Sequence, residues 1–509
     1  MVKNFRNAAI VAAVGAAFAG TAQGTAILGA GASAVKNSVQ LLILKDYCTA
    51  GTINFYDNAT AIAAAGKQPS GGVFRIQCTQ TTLSQFSNAV DIGYDTTGGS
   101  WKGFTAVDTS MYTTASAQNT AFNANPVSTV PTTGCTGTAA GVTIAVLGYS
   151  FFVTHHYGCT ATSLNPASQN VDFGLTDVEA TLFLATADNQ PLVNNSWATT
   201  STGPTQIYGG AVPTIFGGHI SEKAGFPQQV FGVVLGIAAS PSLYSALQAD
   251  QISAGLIPGA PTCTAGSVSS PASTCAPIIS KAQYASIVAN TGGAMNASIY
   301  GLFQHTALAG NGAFELARRD QGSGTQASSN AFFLNDGCTN KDAEAPFSPQ
   351  LPVGSAGNVT YNATTTDVLT QLGAPSLGSA LASSFVIGIV SVENESSLNS
   401  AAATGKGGTG SGFLKLEGVY PSAGNAALGL YGYVSEENLH ANPAASGDAA
   451  QFLADLTNTT VGSPKVTESA YNYGSSAQPA NGIVQLFSNL DTTAAYGNSA
   501  QLCNGWQHL

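Results

Sequence analysis

Apolar residues occur along the chain in short runs that are typical of buried β-strands. Helix-length stretches separate several of these runs, beginning with residues 35–45. Strands that alternate with helices predict a parallel α/β sheet. The predicted strands cover residues 26–28, 90–93, 171–174, 230–238 and 383–392.

The predicted strands are followed by turns that combine glycine with hydroxyl residues. In open α/β sheets, ligands bind at the carboxyl ends of the strands. We therefore expect four of these turns to line a single cleft. They are residues 29–33, 95–99, 174–177 and 321–325.

The most informative chemistry lies in residues 317–325, Ala-Arg-Arg-Asp-Gln-Gly-Ser-Gly-Thr, because two of the four arginines of the chain are adjacent here. A guanidinium offers a fixed fork of donors that matches two oxygens of an anion. A helix that begins at the Gly-Ser-Gly-Thr turn would direct its positive N-terminal end to the same point. This pattern predicts an oxyanion site, although a flexible turn beside a solvated arginine pair fits these nine residues equally well.

Composition narrows the possible functions. Only 8% of the 509 residues are charged, against about 25% in an ordinary soluble domain, and the length favours two or more domains. The net charge of −11 argues against nucleic-acid binding, which needs a basic surface. An anion could still bind through local dipoles and hydrogen bonds.

The first residues read as an export signal. Lys3 and Arg6 precede the apolar residues 8–19, and small residues follow. We expect residues 1–22 to be a cleaved signal peptide and the mature protein to be periplasmic or secreted. The apolar run is too short to span a bilayer stably, and the cleavage region contains no cysteine, so we expect no lipid anchor.

The eight cysteines agree with export and predict disulfides. None lies in a Cys-x-x-Cys pair, which gives little support to a zinc or redox site, and we expect no metal and no cofactor. His155 and His156 are adjacent, so on a strand they would point to opposite faces. We expect sequential pairing: Cys48 with Cys78, Cys135 with Cys159, Cys263 with Cys275, and Cys338 with Cys503.

Six segments, taken in order, resemble the phosphate-binding proteins of bacterial ABC transporters, within the type II periplasmic binding protein superfamily. They are 29–33 (Gly-Ala-Gly-Ala-Ser), 96–99 (Thr-Thr-Gly-Gly), 171–177 (Val-Asp-Phe-Gly-Leu-Thr-Asp), 226–235 with its Phe-Pro start, 318–325, and 418–422 (Gly-Val-Tyr-Pro-Ser) with Asn425 and Tyr431.

This resemblance implies two α/β lobes, each with a central mixed sheet, and a ligand cleft between them. We assign residues 23–232 to lobe 1, with 100–165 as an inserted lobe, residues 233–410 to lobe 2, and residues 411–509 to a return into lobe 1. The resemblance implies the following ligand contacts: Ser33, Thr96, Asp177, Arg319, Ser323, Gly324 and Thr325.

The chemistry of these residues suits an oxyanion. Hydroxyl groups and the Gly324 N–H can donate, and Arg319 adds a bidentate charge. An ionised Asp177 would accept a proton from a protonated oxyanion and repel a fully deprotonated one. Two positions depart from the family pattern: Ala34 replaces an aromatic residue, and Gln321 replaces an aspartate, which changes the expected discrimination among oxyanions.

We therefore expect a monomeric, exported solute-binding protein that takes phosphate or a related oxyanion and delivers it to an ABC transporter permease. One alternative is an extracellular structural or adhesive protein that reuses the fold without binding anions. A second is an enzyme, for which the turn around Ser323 lacks the Gly-x-Ser-x-Gly order of a hydrolase; we expect no catalysis.

Overall fold

The computed structural model of the protein describes a mixed α/β fold. The described residues are 26–59, 65–81, 86–87, 89–96, 99–100, 103, 135–160, 164, 171–178, 228–265, 272–288, 300–303, 305, 314–319, 323–334, 359–362, 364–373, 385–398, 411–442, 445–457 and 483–484. The predicted signal peptide, Gln321, Cys338 and Cys503 lie outside these ranges.

Sixteen strands are formed by the described residues. They are β1 Ile27–Gly31, β2 Asn54–Asp57, β3 Val73–Cys78, β4 Val90–Asp95, β5 Cys135–Val146, β6 Tyr149–Cys159, β7 Phe173–Thr176, β8 Gln228–Ala239, β9 Ile278–Ile279, β10 Phe314–Arg319, β11 Val359–Asn362, β12 Phe385–Ser391, β13 Gly412–Phe413, β14 Lys415–Leu416, β15 Val434–Ala441 and β16 Ile483–Val484.

Helices connect many of these strands. They are α1 Lys36–Leu42, which continues as a π-helical turn Ile43–Tyr47, α2 Pro241–Ser253, α3 Ala272–Cys275, α4 Lys281–Val288, α5 Gly324–Leu334, α6 Thr365–Gly373, α7 Glu395–Leu398, α8 Ala423–Ala427 and α9 Asp448–Thr457, with a 3₁₀ turn Val392–Asn394. None of the helices in the described ranges has the length and apolar character needed to span a bilayer.

The long strand β8 joins two halves of the sheet. Its first part pairs with β15, up to Val234, and its last part pairs with β12, from Leu235 onward. We call the strands on one side, β7, β1, β4, β3, β2, β6 and β5, the first half, and those on the other side, β12, β10 and β11, the second half. Both halves are mixed in strand direction once β8 and β15 at their boundary are included, which agrees with the predicted two-lobed α/β fold.

Strand direction differs from the parallel sheet that the alternating pattern predicts. The pairs β1–β4, β1–β7, β10–β11 and β10–β12 are parallel, whereas β8 and β15 run antiparallel to their neighbours. An apolar run specifies burial but not direction. For this reason the pattern located five of the strands (β1, β4, β7, β8 and β12) and missed these reversals.

Residues 135–159, part of the predicted inserted lobe, extend the first half. Strands β5 and β6 form a hairpin, and β6 pairs in parallel with β2, so that Phe55 lies opposite His156. Buried His156 lies 3.3 Å from the buried Asp57 carboxylate. Groups of three or more His, Cys, Asp or Glu that could hold a metal ion do not occur among the described residues.

Three of the four predicted disulfides are confirmed, and the fourth pair lies outside the described residues. Cys48–Cys78 joins α1's continuation to β3, Cys135–Cys159 closes the base of the hairpin, and Cys263–Cys275 ties the segment after α2 to α3.

A continuous apolar core runs through both halves and includes Ile27, Phe173, Ile237, Phe314 and Phe452. Because β8 and β15 contribute to this core between the halves, the ends of the parallel strands from each half are held close together.

Candidate functional site

The turn after β1 carries Ser33 and is tightly constrained. Gly31 has a φ of 131°, and a Cβ at this position would lie 2.0 Å from the Leu175 carbonyl oxygen. The following residue donates its N–H to the same carbonyl at 2.8 Å, and the Tyr94 hydroxyl donates to the Ala32 carbonyl at 3.0 Å. Only glycine fits this close backbone approach, which fixes the position of the Ser33 hydroxyl.

Arg319 ends β10 in the second half and reaches the Ser33 hydroxyl in the first. The guanidinium Nη2 donates to Ser33 Oγ at 3.2 Å, and Nη1 donates to Thr365 Oγ1 at 3.0 Å. The Nε group donates to the Asn362 carbonyl at 3.3 Å. Arg319 is 3% exposed, so this charged group lies inside the protein between two hydroxyls.

Thr365 owes its position to a capped helix start. The Thr364 N–H donates to Asp367 Oδ2 at 2.8 Å, and the Asp367 N–H donates to Thr364 Oγ1 at 3.2 Å. This reciprocal pair is a capping box and makes Thr365 the first residue of α6. Its hydroxyl oxygen lies 3.1 Å from Ser33 Oγ, so three polar groups from the two halves converge.

A second contact between the halves involves Asp177, which follows β7. Its Oδ2 accepts hydrogen bonds from Thr325 Oγ1 at 3.2 Å and from Ser100 Oγ at 3.0 Å. Burial raises the pKa of Asp177, while contacts with Glu437 and Ser100 and the positive charge of Arg319 oppose that rise. Ionised Asp177 and Arg319 therefore stabilise each other across the site.

The turn before α5 brings its backbone against Asp177. The Ser323 hydroxyl accepts from the Gln326 N–H at 3.4 Å and caps the helix. A Cβ added to Gly324 would lie 2.5 Å from Ser100 Oγ and 2.7 Å from Asp177 Cβ. A glycine is needed at this position because the two halves meet here without room for a side chain.

Five of the seven predicted residues lie where the two halves meet. They are Ser33, Asp177, Arg319, Gly324 and Thr325. Ser323 caps the helix that carries Thr325. The Thr96 hydroxyl donates to the Gly72 carbonyl at 2.7 Å. The hydroxyl near this turn that donates to Asp177 belongs to Ser100.

Sequence reasoning missed Thr365, Asn362, Ser100 and Glu437. The Thr364-x-x-Asp367 pattern is typical of a helix start and could have identified Thr365. Ser100 directly follows the glycines of the 95–99 turn, so a site assigned to the whole turn would have included it. Glu437 lies in an ordinary strand without a motif.

The Arg319 side of the site is closely packed. A cavity of about 10 Å³ is lined in part by Arg318, Arg319, Thr325 and Gln326. That volume accommodates about one water molecule. In this arrangement the Arg319 guanidinium donates to Ser33, Thr365 and the Asn362 carbonyl.

Comparisons with solved structures find proteins to which part of this chain is similar. The chain is similar to a putative phosphate ABC transporter substrate-binding protein with bound phosphate from Clostridium perfringens, with 9% identity, a TM-score of 0.28, and coverage of 51% of this chain and 72% of that one.

Two further structures are similar over comparable lengths. An ABC-type phosphate transport receptor from Vibrio cholerae has 11% identity and a TM-score of 0.25, covering 46% of this chain and 67% of that one. PstS from Borrelia burgdorferi has 15% identity and a TM-score of 0.26, covering 51% and 71%. No family model matches the chain, and no curated protein matches its sequence.

Proposed function

We propose that the protein is an exported solute-binding protein that holds phosphate or a related oxyanion between its two halves and passes it to an ABC transporter. The observation that carries this proposal is the Arg319 guanidinium, buried between the hydroxyls of Ser33 and Thr365 from opposite halves. The two hydroxyl oxygens accept hydrogen bonds from the Arg319 guanidinium. Two oxygens of a bound anion would accept the same hydrogen bonds.

The energetics favour an anion at this position. A buried guanidinium loses its hydration, and a bidentate contact with an oxyanion replaces that hydration better than neutral hydroxyls do. The Ser33, Thr365 and Thr325 hydroxyls can rotate to donate to the same anion. Since these groups come from both halves, binding would hold the halves together.

Asp177 supports the choice of a protonated oxyanion such as phosphate. An ionised carboxylate accepts hydrogen bonds but cannot donate one. It therefore attracts an anion that keeps a proton at neutral pH and repels one that has lost all its protons. We propose phosphate or arsenate as the preferred class, with sulfate excluded.

A thermal-unfolding series tests this proposal. The mature protein is heated with increasing phosphate, arsenate or sulfate at constant ionic strength, with chloride as the control. A ligand that binds only the folded state raises Tm in proportion to ln(1 + [L]/Kd). We expect a rise with phosphate and arsenate and none with sulfate or chloride. An equal response to all four salts, or none, would support the structural or adhesive alternative.

A further inference from the structure

A second buried carboxyl lies directly behind Asp177. Strands β7 and β15 are antiparallel, and their register pairs Thr176 with Asn438. One residue further along this register, Asp177 lies opposite Glu437. The pairing therefore brings the two acids face to face. Asp177 is 1% exposed and Glu437 is 0% exposed, so both facing carboxyls are removed from solvent.

The hydrogen bonds of this pair are complete only if a proton lies between the two acids. Oδ2 of Asp177 accepts from Ser100 and Thr325. The other Asp177 oxygen and both Glu437 carboxyl oxygens are buried and accept no hydrogen bond from any N–H or O–H group of the described residues. Two ionised carboxylates offer only lone pairs and repel each other, whereas one protonated acid can donate to the other.

The surroundings assign the proton to Glu437. Burial raises the pKa of Glu437 well above its usual value, and the negative charges of Asp177 and Glu393 act in the same direction. Burial also raises the pKa of Asp177, but its contacts with Glu437, Ser100 and Thr325 and the charge of Arg319 oppose that rise and favour its ionised form. Tyr94 and Tyr433 also face the pair; burial raises the pKa of both phenols, so they stay neutral.

We propose that Glu437 is a specificity-determining positioning residue, which keeps its proton at neutral pH and donates a hydrogen bond to Asp177. This inference rests on the proposed function and concerns the same site. The donated hydrogen bond keeps Asp177 ionised and fixed as an acceptor for the O–H of a protonated oxyanion. Protonated Glu437 then adds no charge to the site, and the negative charge of Asp177 lies near the positive charge of Arg319.

Ionisation of Glu437 would add a second buried negative charge next to the anion. The protonated form of Glu437 binds the ligand, so affinity is retained at low pH and lost as the pH rises through the titration of Glu437. This loss is additional to any change in the ligand itself. A glutamine at this position keeps an N–H donor and cannot ionise, so it separates the two effects.

The test compares Glu437→Gln with the wild type and with Glu417→Gln, a control at an exposed turn. Phosphate affinity is measured by calorimetry from about pH 6 to about pH 9. Because all three proteins see the same phosphate species, any difference belongs to the protein. We expect the wild type and the control to lose at least about tenfold more affinity over this range than Glu437→Gln. Parallel profiles in all three proteins would overturn the inference.

Two further measurements keep the inference testable. Calorimetry of the wild type in buffers of different ionisation enthalpy, at a pH where its affinity has fallen below that of Glu437→Gln, should show proton uptake when monoprotonated phosphate binds; the absence of uptake would contradict the inference. The infrared difference spectrum between wild type and Glu437→Gln at neutral pH should show the C=O band of a protonated carboxyl. If the wild type binds no oxyanion at any pH, the proposed function fails, while the infrared band still decides whether Glu437 holds a proton.

Discussion

Arg319 and Ser33 come from opposite halves of the molecule, and the Arg319 guanidinium donates a hydrogen bond of 3.2 Å to the Ser33 hydroxyl. The same guanidinium donates to Thr365, whose hydroxyl lies 3.1 Å from that of Ser33. Each of the three groups contacts both others. A change at any one of them is therefore expected to alter how the other two contribute to stability.

A double-mutant cycle on Ser33→Ala and Thr365→Val tests this coupling. Both changes remove a hydroxyl with little change in shape, and each should lower the free energy of unfolding by about 1.5–3 kcal/mol, because a hydrogen bond to a charged group is lost. We expect the double variant to differ from the sum of the single variants by at least about 0.5 kcal/mol in urea unfolding. Strict additivity would show that the three groups do not act as a unit.

Gly324→Ala should disturb the contact between the halves at Asp177. The new methyl group would lie 2.7 Å from Asp177 Cβ, which forces Asp177 or the start of α5 to move. Overpacking of this kind costs about 1–3 kcal/mol, and phosphate affinity should fall as well. The matched control is Gly259→Ala, where the nearest atom would be Ile252 Cγ2 at 3.4 Å. Urea unfolding should show a loss in the first variant and almost none in the control.

Glu393→Gln should change how stability depends on pH. The Ser38 hydroxyl of the first half donates to Glu393 Oε2 at 2.9 Å, and burial raises the pKa of Glu393 to about 8. The folded state therefore binds more protons than the unfolded state above the ordinary glutamate pKa. Stability contributed by the protonated acid is lost as the pH rises towards about 8.

The amide variant cannot ionise, so its stability should fall less over the same range. The difference between the two proteins should be on the order of 1 kcal/mol or more near pH 8. Urea unfolding at several pH values measures this difference, and Glu417→Gln again supplies the exposed control. Wild type and Glu393→Gln curves that fall in parallel would contradict the predicted direction.

The sequence predicted the strands better than the contacts between them. The predicted runs 90–93 and 383–392, for example, fall on the buried strands Val90–Asp95 and Phe385–Ser391. The antiparallel passage of β15 beside β7 and β8 depends on which surfaces pack together, and no local pattern encodes it. Glu437 faces Asp177 through this passage, so the pair could not be found from either segment alone.

Several of the predicted site residues lie in one cluster because turns at the ends of parallel strands meet at one edge. The placement of individual hydroxyls was less predictable. Thr96 and Ser100 lie four residues apart around the same turn, and backbone geometry alone decides that Thr96 bonds to Gly72 while Ser100 bonds to Asp177. Arg319 was predictable because arginine is scarce in this chain.

Isothermal titration of phosphate into the mature protein, after unfolding and refolding to remove any carried-over anion, tests directly whether Arg319 binds an oxyanion. The comparison uses wild type, Arg319→Ala and Lys67→Ala, which removes an exposed positive charge. We expect one-to-one binding by the wild type and the Lys67 variant, and at least about a hundredfold loss for Arg319→Ala, because charge-assisted hydrogen bonds are lost. Unchanged affinity in a folded Arg319→Ala protein, or no binding by the wild type, would contradict the proposed site.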